Sequence, residues 1–323
     1  MEHPLLIIVS LIAIEAFVLW ASQKTFYKKY LSFFPAVFWI YFLPMLCSSV
    51  GLLDAKSPVY SLITNHFLPA SLLLLLMCVD IKAIAHLGRT ALGMFLIGSF
   101  GIMTGTALVF AFFKGIVGPE FWAGFGALSG SWTGGSANMI AVKEALSTPE
   151  DVFLPMVVVD TVVPYVWMGL LVLMVGWQKV FDRWNHSRVD LLEEFNRKTA
   201  GVALQRFDGW KAKPVLLMLA VAAAGSMIAV FLARALPEIN GVISTYAWVI
   251  IIVSLLGIGL SMTPCRRLEQ YGASRIGTWI LYFVLTSIGA KANLANLESS
   301  VILILAGFCI VLVHAVFLLA GAR

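Results

Sequence analysis

Charge is scarce in this sequence. Only 12% of its 323 residues are Asp, Glu, Lys or Arg, against 60% hydrophobic. A soluble domain of that length needs far more charge to cover its surface, so a water-soluble globule is excluded. Strict two-residue alternation is missing from the apolar stretches, which excludes a transmembrane barrel. Cysteine is limited to Cys47, Cys78, Cys265 and Cys309, each alone in or beside an apolar run, without metal-ligand spacing. They read as small packing residues. There is no HExxH zinc motif, no GxSxG elbow, no protease-like pair of intramembrane aspartates and no nucleotide-binding loop. These absences argue against an enzyme and against ATP-driven pumping by this chain. The net charge of +5 sits in loops and reflects orientation in a membrane, so no nucleic-acid partner is expected.

What the sequence does contain is long uncharged runs. A helix advances about 1.5 Å per residue, so a run near twenty residues crosses a hydrocarbon core of roughly 30 Å. Backbone groups in lipid must pair internally, which leaves helices as the spanning elements. Ten apolar segments are read at 4–22, 35–53, 60–81, 90–113, 121–146, 152–178, 214–234, 243–262, 277–295 and 301–321. The expected fold is therefore an all-α polytopic membrane protein in the plasma (inner) membrane, with the lipid bilayer as its surroundings. The first run has no basic start, contains Glu15 and precedes no small-x-small site, so it reads as a retained helix.

Lys and Arg mark the cytoplasmic loops. They cluster after segment one (Lys24, Lys28, Lys29), after segment six (Lys179 to Lys213) and after segment eight (Arg266, Arg267, Arg275). Five full crossings between the first two clusters would put them on opposite sides; four put them on one side. One segment must enter and leave by the same face. The fifth, FWAGFGALSGSWTGGSANMIAVKEAL, is broken by glycine and hydroxyl residues and is the expected re-entrant hairpin.

DIKAIAHL at 80–87 and GAKANLAN at 289–296 align Lys82 with Lys291, and the same offset of 209 superposes four segments of each half. If segment one starts outside, segment seven starts inside, which makes an inverted repeat, a common plan of secondary transporters. The expected organisation is a first repeat at 1–181 containing the hairpin 119–148, a cytoplasmic linker at 182–213 and a second repeat at 214–323. The offset carries Ser129–Asn138 past Arg323, so the second repeat reads as incomplete.

Ser129, Ser131, Thr133, Gly134, Gly135, Ser136 and Asn138 lie within ten residues of an apolar segment. Glycine lets the chain turn there and frees backbone groups that bind a cation through oxygen or an anion through N–H. Close helix packing is the alternative use of the same small residues. Asp160 lies deep inside VVVDTVVPYV, with Thr161 beside it and Pro164 one turn on, where it leaves the Asp160 carbonyl without its helix donor. An intramembrane carboxylate is expensive and marks a functional site by default, a structural partner being the alternative. Asp160 and Asn138 are the candidate Na⁺ ligands, and no other cofactor is expected. Lys82 and Lys291 read as snorkelling anchors and His314 as a hydrogen-bonded packing residue. Asn65 and His66, at the start of segment three, read as loop residues, with the lining of an entrance as the alternative. Gly98, Gly101 and Gly105 form one helix face, expected to pack on the hairpin. VDLLEEFNRKTAGVALQRF, in the linker, reads as either a surface-lying amphipathic stretch or an ordinary connection.

GALSGSWTGGSANMIAVKEAL, VVVDTVVPYVWMG and LYFVLTSIGAKANL together resemble the integral membrane proteins catalogued as "domain of unknown function 819". The resemblance runs from near the N-terminus to Arg323, and GGSAN with the downstream DT-x-x-P is its most specific part. It implies kinship with the cation:proton antiporter and anion transporter superfamily, whose members use discontinuous helices at the transport site. The expected function is a secondary, cation-coupled (Na⁺ or H⁺) carrier of a small organic solute, anionic by the same implication. A homodimer is compatible with this reading. A membrane-embedded enzyme and a channel or scaffold are the competing classes.

Overall fold

The computed structural model describes residues 3–24, 36–86, 88–177, 207–239, 243–292 and 300–322. Among these the regular structure is helical. In chain order the helices are α1 (Pro4–Gln23), α2 (Ala36–Ser49), α3 (Val59–Met77), the short α4 (Ile81–His86), α5 (Arg89–Val117), α6 (Trp122–Gly134), α7 (Ser136–Ala145), α8 (Glu150–Met174), α9 (Ala212–Ala233), α10 (Thr245–Ser261), α11 (Ala273–Lys291) and α12 (Ser300–Gly321). Six of them, α1, α3, α5, α8, α9 and α12, are long and apolar enough to cross a bilayer. The chain is a polytopic helical membrane protein, as its composition demands.

The remaining segments depart from simple spans for physical reasons. Among the described residues helix α2 has 14 residues, about 21 Å at 1.5 Å each. Segment three ends at Met77, and the DIKAIAHL stretch forms the separate α4. Helix α10 bends by 90° into a 3-10 turn at Pro264–Tyr271. That turn starts where Thr263 Oγ1 accepts the Cys265 N–H at 3.2 Å and ends at Gly272, whose φ of +87° suits glycine. Helix α11 is less apolar because protein rather than lipid surrounds much of it: Thr286 and Ser287 are fully buried there. Asn65 and His66 stand within α3, not in a loop.

Helices of the two halves pack in exchanged pairs. Contacts α1–α2 and α9–α10 match, as do α2–α11 and α10–α3, and α1–α11 and α9–α3; α3 meets α11 and α5 meets α12 directly. These are contacts that a two-fold exchange of α1, α2, α3 and α5 with α9, α10, α11 and α12 generates. The central pair runs antiparallel. Thr64 lies 3.4 Å from Ser287 through their hydroxyls, while a Cβ at Gly277 would stand 3.1 Å from Leu74 and from Leu75.

The glycine face of α5 meets α12, not the hairpin. Cβ atoms at Gly98 and Gly101 would press on His314 and Phe317, and one at Gly105 on Ile310 and Val313. His314 Nδ1 pairs with Gly98 O at 2.9 Å. Expected as a hydrogen-bonded packing residue, His314 thus has its partner, and Gly98 admits the ring by lacking a side chain.

Phe207, Lys211, Arg266, Tyr271 and Arg275 gather at one end. Lys211 lies 5.1 Å from the Tyr271 ring and Arg275 4.0 Å from that of Phe207, and Arg266 pairs with Asp80. The end of the loop after segment six and the loop after segment eight therefore share a side, as their charge suggests. Lys24 lies at the end of the first described stretch; Lys28, Lys29 and the amphipathic stretch of the linker up to Arg206 lie outside the described residues.

Candidate functional site

The chain breaks between α6 and α7 at Gly135, whose φ is +86°. Gly135 N–H donates to Ser131 O at 2.6 Å and closes α6; Gly135 O accepts the N–H groups of Asn138 and Met139 at 3.0 and 3.1 Å and opens α7. An L side chain is strained at that backbone angle, so glycine is required.

The two arms then run antiparallel in close contact. A Cβ at Gly126 would lie 2.8 Å from Leu146 Cδ1, and one at Gly130 3.0 Å from Val142 Cγ2; Gly134 faces Asn138. The contacts step forward by four residues on one arm and back by four on the other, the signature of a helical hairpin. Arms of 13 and 10 residues reach about 20 and 15 Å, too short to span roughly 30 Å of hydrocarbon. Segment five therefore turns back on itself.

Asp160, on α8, faces this break. Ser131 and Trp132 flank its carboxylate, although the buried indole Nε1 falls short of a hydrogen bond. A cavity of about 90 Å³ beside it is lined by Tyr41, Ser136, Phe153, Asp160, Thr161 and Tyr165 among others. Its oxygens are one carboxylate and several hydroxyls. Thr161 Oγ1 donates to Val157 O at 2.8 Å, which leaves its lone pairs for a ligand. The Tyr41 hydroxyl is buried and makes no hydrogen bond among the described residues. Pro164 lies inside α8 and offers no N–H to the Asp160 carbonyl.

The residues singled out from sequence thus divide. Ser136, Asp160 and Thr161 share the cavity, and Ser131 adjoins Asp160 from the hairpin. Ser129, Thr133, Gly134, Gly135 and Asn138 stand outside the lining. Thr133 Oγ1 turns back to Ser129 O at 2.8 Å, and Gly134, Gly135 and Asn138 are exposed at the tip. The other half of the chain lends the cavity Leu285 of α11, and α12 packs close on α8 and the hairpin: a Cβ at Gly307 would lie 2.7 Å from Val159, 2.9 Å from Val163 and 3.5 Å from Trp132.

A second polar cluster was not visible in the sequence. Lys143, 3% exposed, lies 2.7 Å from both Glu144 and Glu150. Lys291 lies 3.0 Å from the same Glu150 oxygen, so it is an ion-pair partner and not a snorkelling anchor. The cluster joins the returning arm, the start of α8 and the end of α11. The Lys143 ammonium also stands 5.7 Å from the Phe153 ring, and Phe153 packs edge-on against Tyr41 at 6.0 Å, which connects the cluster to the Asp160 cavity. The i, i+7 spacing of Lys143 and Glu150 was the one local signal; Lys291 is too distant in sequence to be paired without the fold.

The chain is 26% identical over 291 residues to "Uncharacterized membrane protein YjcL" of Bacillus subtilis (strain 168), covering 86% of this chain and 72% of that protein. With six helices long and apolar enough to span among the described residues, this supports a multi-pass membrane protein. The match over residues 9–323 to the family described as "Protein of unknown function (DUF819)" places the chain in that family, to which it belongs along most of its length.

Proposed function

We propose that this protein is a secondary carrier that couples a cation, Na⁺ or H⁺, to the movement of a small organic solute across the plasma membrane. The observation that carries the reading is the Asp160 cavity. A carboxylate deep in a spanning helix, beside a broken helix and ringed by hydroxyl oxygens, is a hard-oxygen site for a monovalent cation. Its size decides what it holds. At about 90 Å³ it falls well short of the roughly 300 Å³ at which small-molecule pockets begin, so it suits an ion or water.

The solute, anionic in this reading, is assigned to the hairpin tip, where Gly134, Gly135 and Asn138 are exposed and the N-terminus of α7 favours negative charge. Kinship with the cation:proton antiporter and anion transporter superfamily, implied by the motif resemblance, agrees with this division of labour. The exchanged helix pairings agree with the rocking of one half against the other that such carriers use.

The test is thermal unfolding of the purified chain in detergent, with Na⁺ replaced stepwise by choline, for the parent and Asp160→Asn. A ligand that binds the folded state raises its apparent stability. Sodium should stabilise the parent, and the monodisperse variant should lose that response. An unchanged response in a folded variant removes Asp160 from the site. Cation-driven accumulation in proteoliposomes tests transport itself; turnover without accumulation would point to an enzyme.

A further inference from the structure

Away from the Asp160 site, a groove of about 480 Å³ runs between α3 and α9, with Ile280 of α11 at its edge. In sequence, Asn65 and His66 lie far from Arg234. The fold brings Asn65 and His66 together with Arg234 at one end, because α9 finishes where α3 begins. We infer that this groove binds an anionic phospholipid, with the acyl chain in the slot and the phosphate at Arg234.

The body of the groove presents nothing polar that needs a partner. Its floor is small: Ala70, Ala222, Ala223 and Ser226. The Ser226 hydroxyl donates to Ala222 O at 2.7 Å and is thereby turned away from the slot. The rim carries large apolar side chains in the open, Phe67 at 44%, Met227 at 68% and Phe231 at 75% exposure. Lined on α9 from Leu219 to Arg234, the groove is about 22 Å long at 1.5 Å per residue. It therefore reaches past the bilayer midplane, about 15 Å down, the depth of an acyl chain.

The mouth carries the opposite chemistry. Arg234 is exposed at the end of α9 and makes no ion pair among the described residues. His66 Nδ1 pairs with Leu62 O at 2.9 Å, which leaves Nε2 for a ligand, and Asn65 adds an amide donor. A permanently charged guanidinium at the head of an apolar slot complements a phosphate on an acyl chain. Charge complementarity thus selects a phospholipid over a second copy of this chain, whose apolar helix face would leave Arg234 unmatched.

The probes are phosphatidylglycerol and phosphatidylcholine with identical acyl chains, added to the delipidated full chain and read by melting temperature and native mass spectrometry. Phosphatidylglycerol should bind more tightly. Arg234→Gln, on an exposed helix end, should weaken it about tenfold, the loss of one charge-assisted contact, and erase the preference. Ala223→Phe should displace both lipids. Equal affinity for the two lipids in the parent overturns the proposal, as does an Arg234→Gln protein that keeps the preference. Inorganic phosphate should be silent; a shift equal to that of the lipid would make this a soluble-anion site. A dimer that excludes lipid from the groove would assign the surface to a second copy instead. Should Ala223→Phe fail to fold, the Arg234→Gln comparison decides alone.

Discussion

Lys291 Nζ lies 3.0 Å from Glu150 Oε1, and that oxygen also lies 2.7 Å from Lys143 Nζ. One carboxylate oxygen therefore holds the returning arm of the hairpin against the last helix turn before residue 292. Removing it leaves Lys291 without this partner and takes from the almost wholly buried Lys143 one of its two carboxylates. Breaking a buried pair costs about 3–5 kcal/mol; Lys143 keeps Glu144, so Glu150→Gln is expected at the low end, about 3 kcal/mol. Adding Lys291→Met should recover part of the loss. Thermal unfolding of the two single variants and the double variant measures the coupling, and additive effects would show that the pair contributes nothing.

The glycine contacts of the hairpin make a size prediction. Gly130→Leu must push Val142 and the Asn138 carbonyl away and separate the arms, an overpacking cost of about 1–3 kcal/mol. Gly115→Leu, where nothing lies within 4 Å of an added Cβ, should change stability far less. Equal melting temperatures for the two variants would contradict the packed hairpin.

The hairpin also fixes sidedness. Single cysteines in place of Glu120 and Asp151, both exposed, should react with a membrane-impermeant maleimide from the same face of intact vesicles. Labelling from opposite faces would mean that segment five crosses the membrane, and the topology would have to be redrawn.

Within the Asp160 cavity the hydroxyls rank below the carboxylate. Thr161→Val keeps the shape and removes one oxygen, so the cation response should weaken by about 0.5–1.5 kcal/mol, the scale of a neutral polar contact. Asp160→Asn, which removes the charge, should weaken it more. Titrating the melting temperature with Na⁺ gives both values; a larger loss for Thr161→Val would reverse the assigned roles.

Outside the membrane, Glu238 Oε1 accepts the Thr245 N–H at 3.0 Å and its hydroxyl at 2.6 Å. These bonds hold the carboxyl below its ordinary value of 4.5. A depressed folded-state value stabilises the folded form above the ordinary range and is lost as pH falls through the folded value. Exchange of the Thr245 amide with solvent should therefore quicken as pH falls below the ordinary carboxyl value of 4.5 and through the lower folded-state value, after correction for intrinsic exchange. Glu238→Gln should remove that step.

Much of this architecture was legible before the fold was known, for identifiable reasons. A hairpin was readable at Gly134–Gly135 because lipid punishes a broken helix, so a glycine pair inside an apolar run carries meaning. Asp160 was readable because a carboxylate so far from any run end is expensive. The charge cluster was not, since Lys143 and Lys291 each look like ordinary helix-end lysines and only the packing of α7, α8 and α11 brings both to Glu150. The α5 glycines were read correctly as a packing face, but sequence distance favoured the adjacent hairpin over α12, which follows almost two hundred residues later.

The close approach of Gly307 to α8 and Trp132 has a consequence for synthesis. Gly307 touches Trp132 from 175 residues downstream. At a ribosomal pace of about 5–20 residues per second, roughly 9–35 s pass between the making of one and of the other. Throughout that interval the hairpin and α8 are in the bilayer without their final neighbour, with Trp132, Val159 and Val163 uncovered on the side that α12 later takes. The nascent chain therefore needs lipid, water or the insertion machinery to stand in for α12, and pausing translation after α11 should trap the first half in a protease-sensitive form.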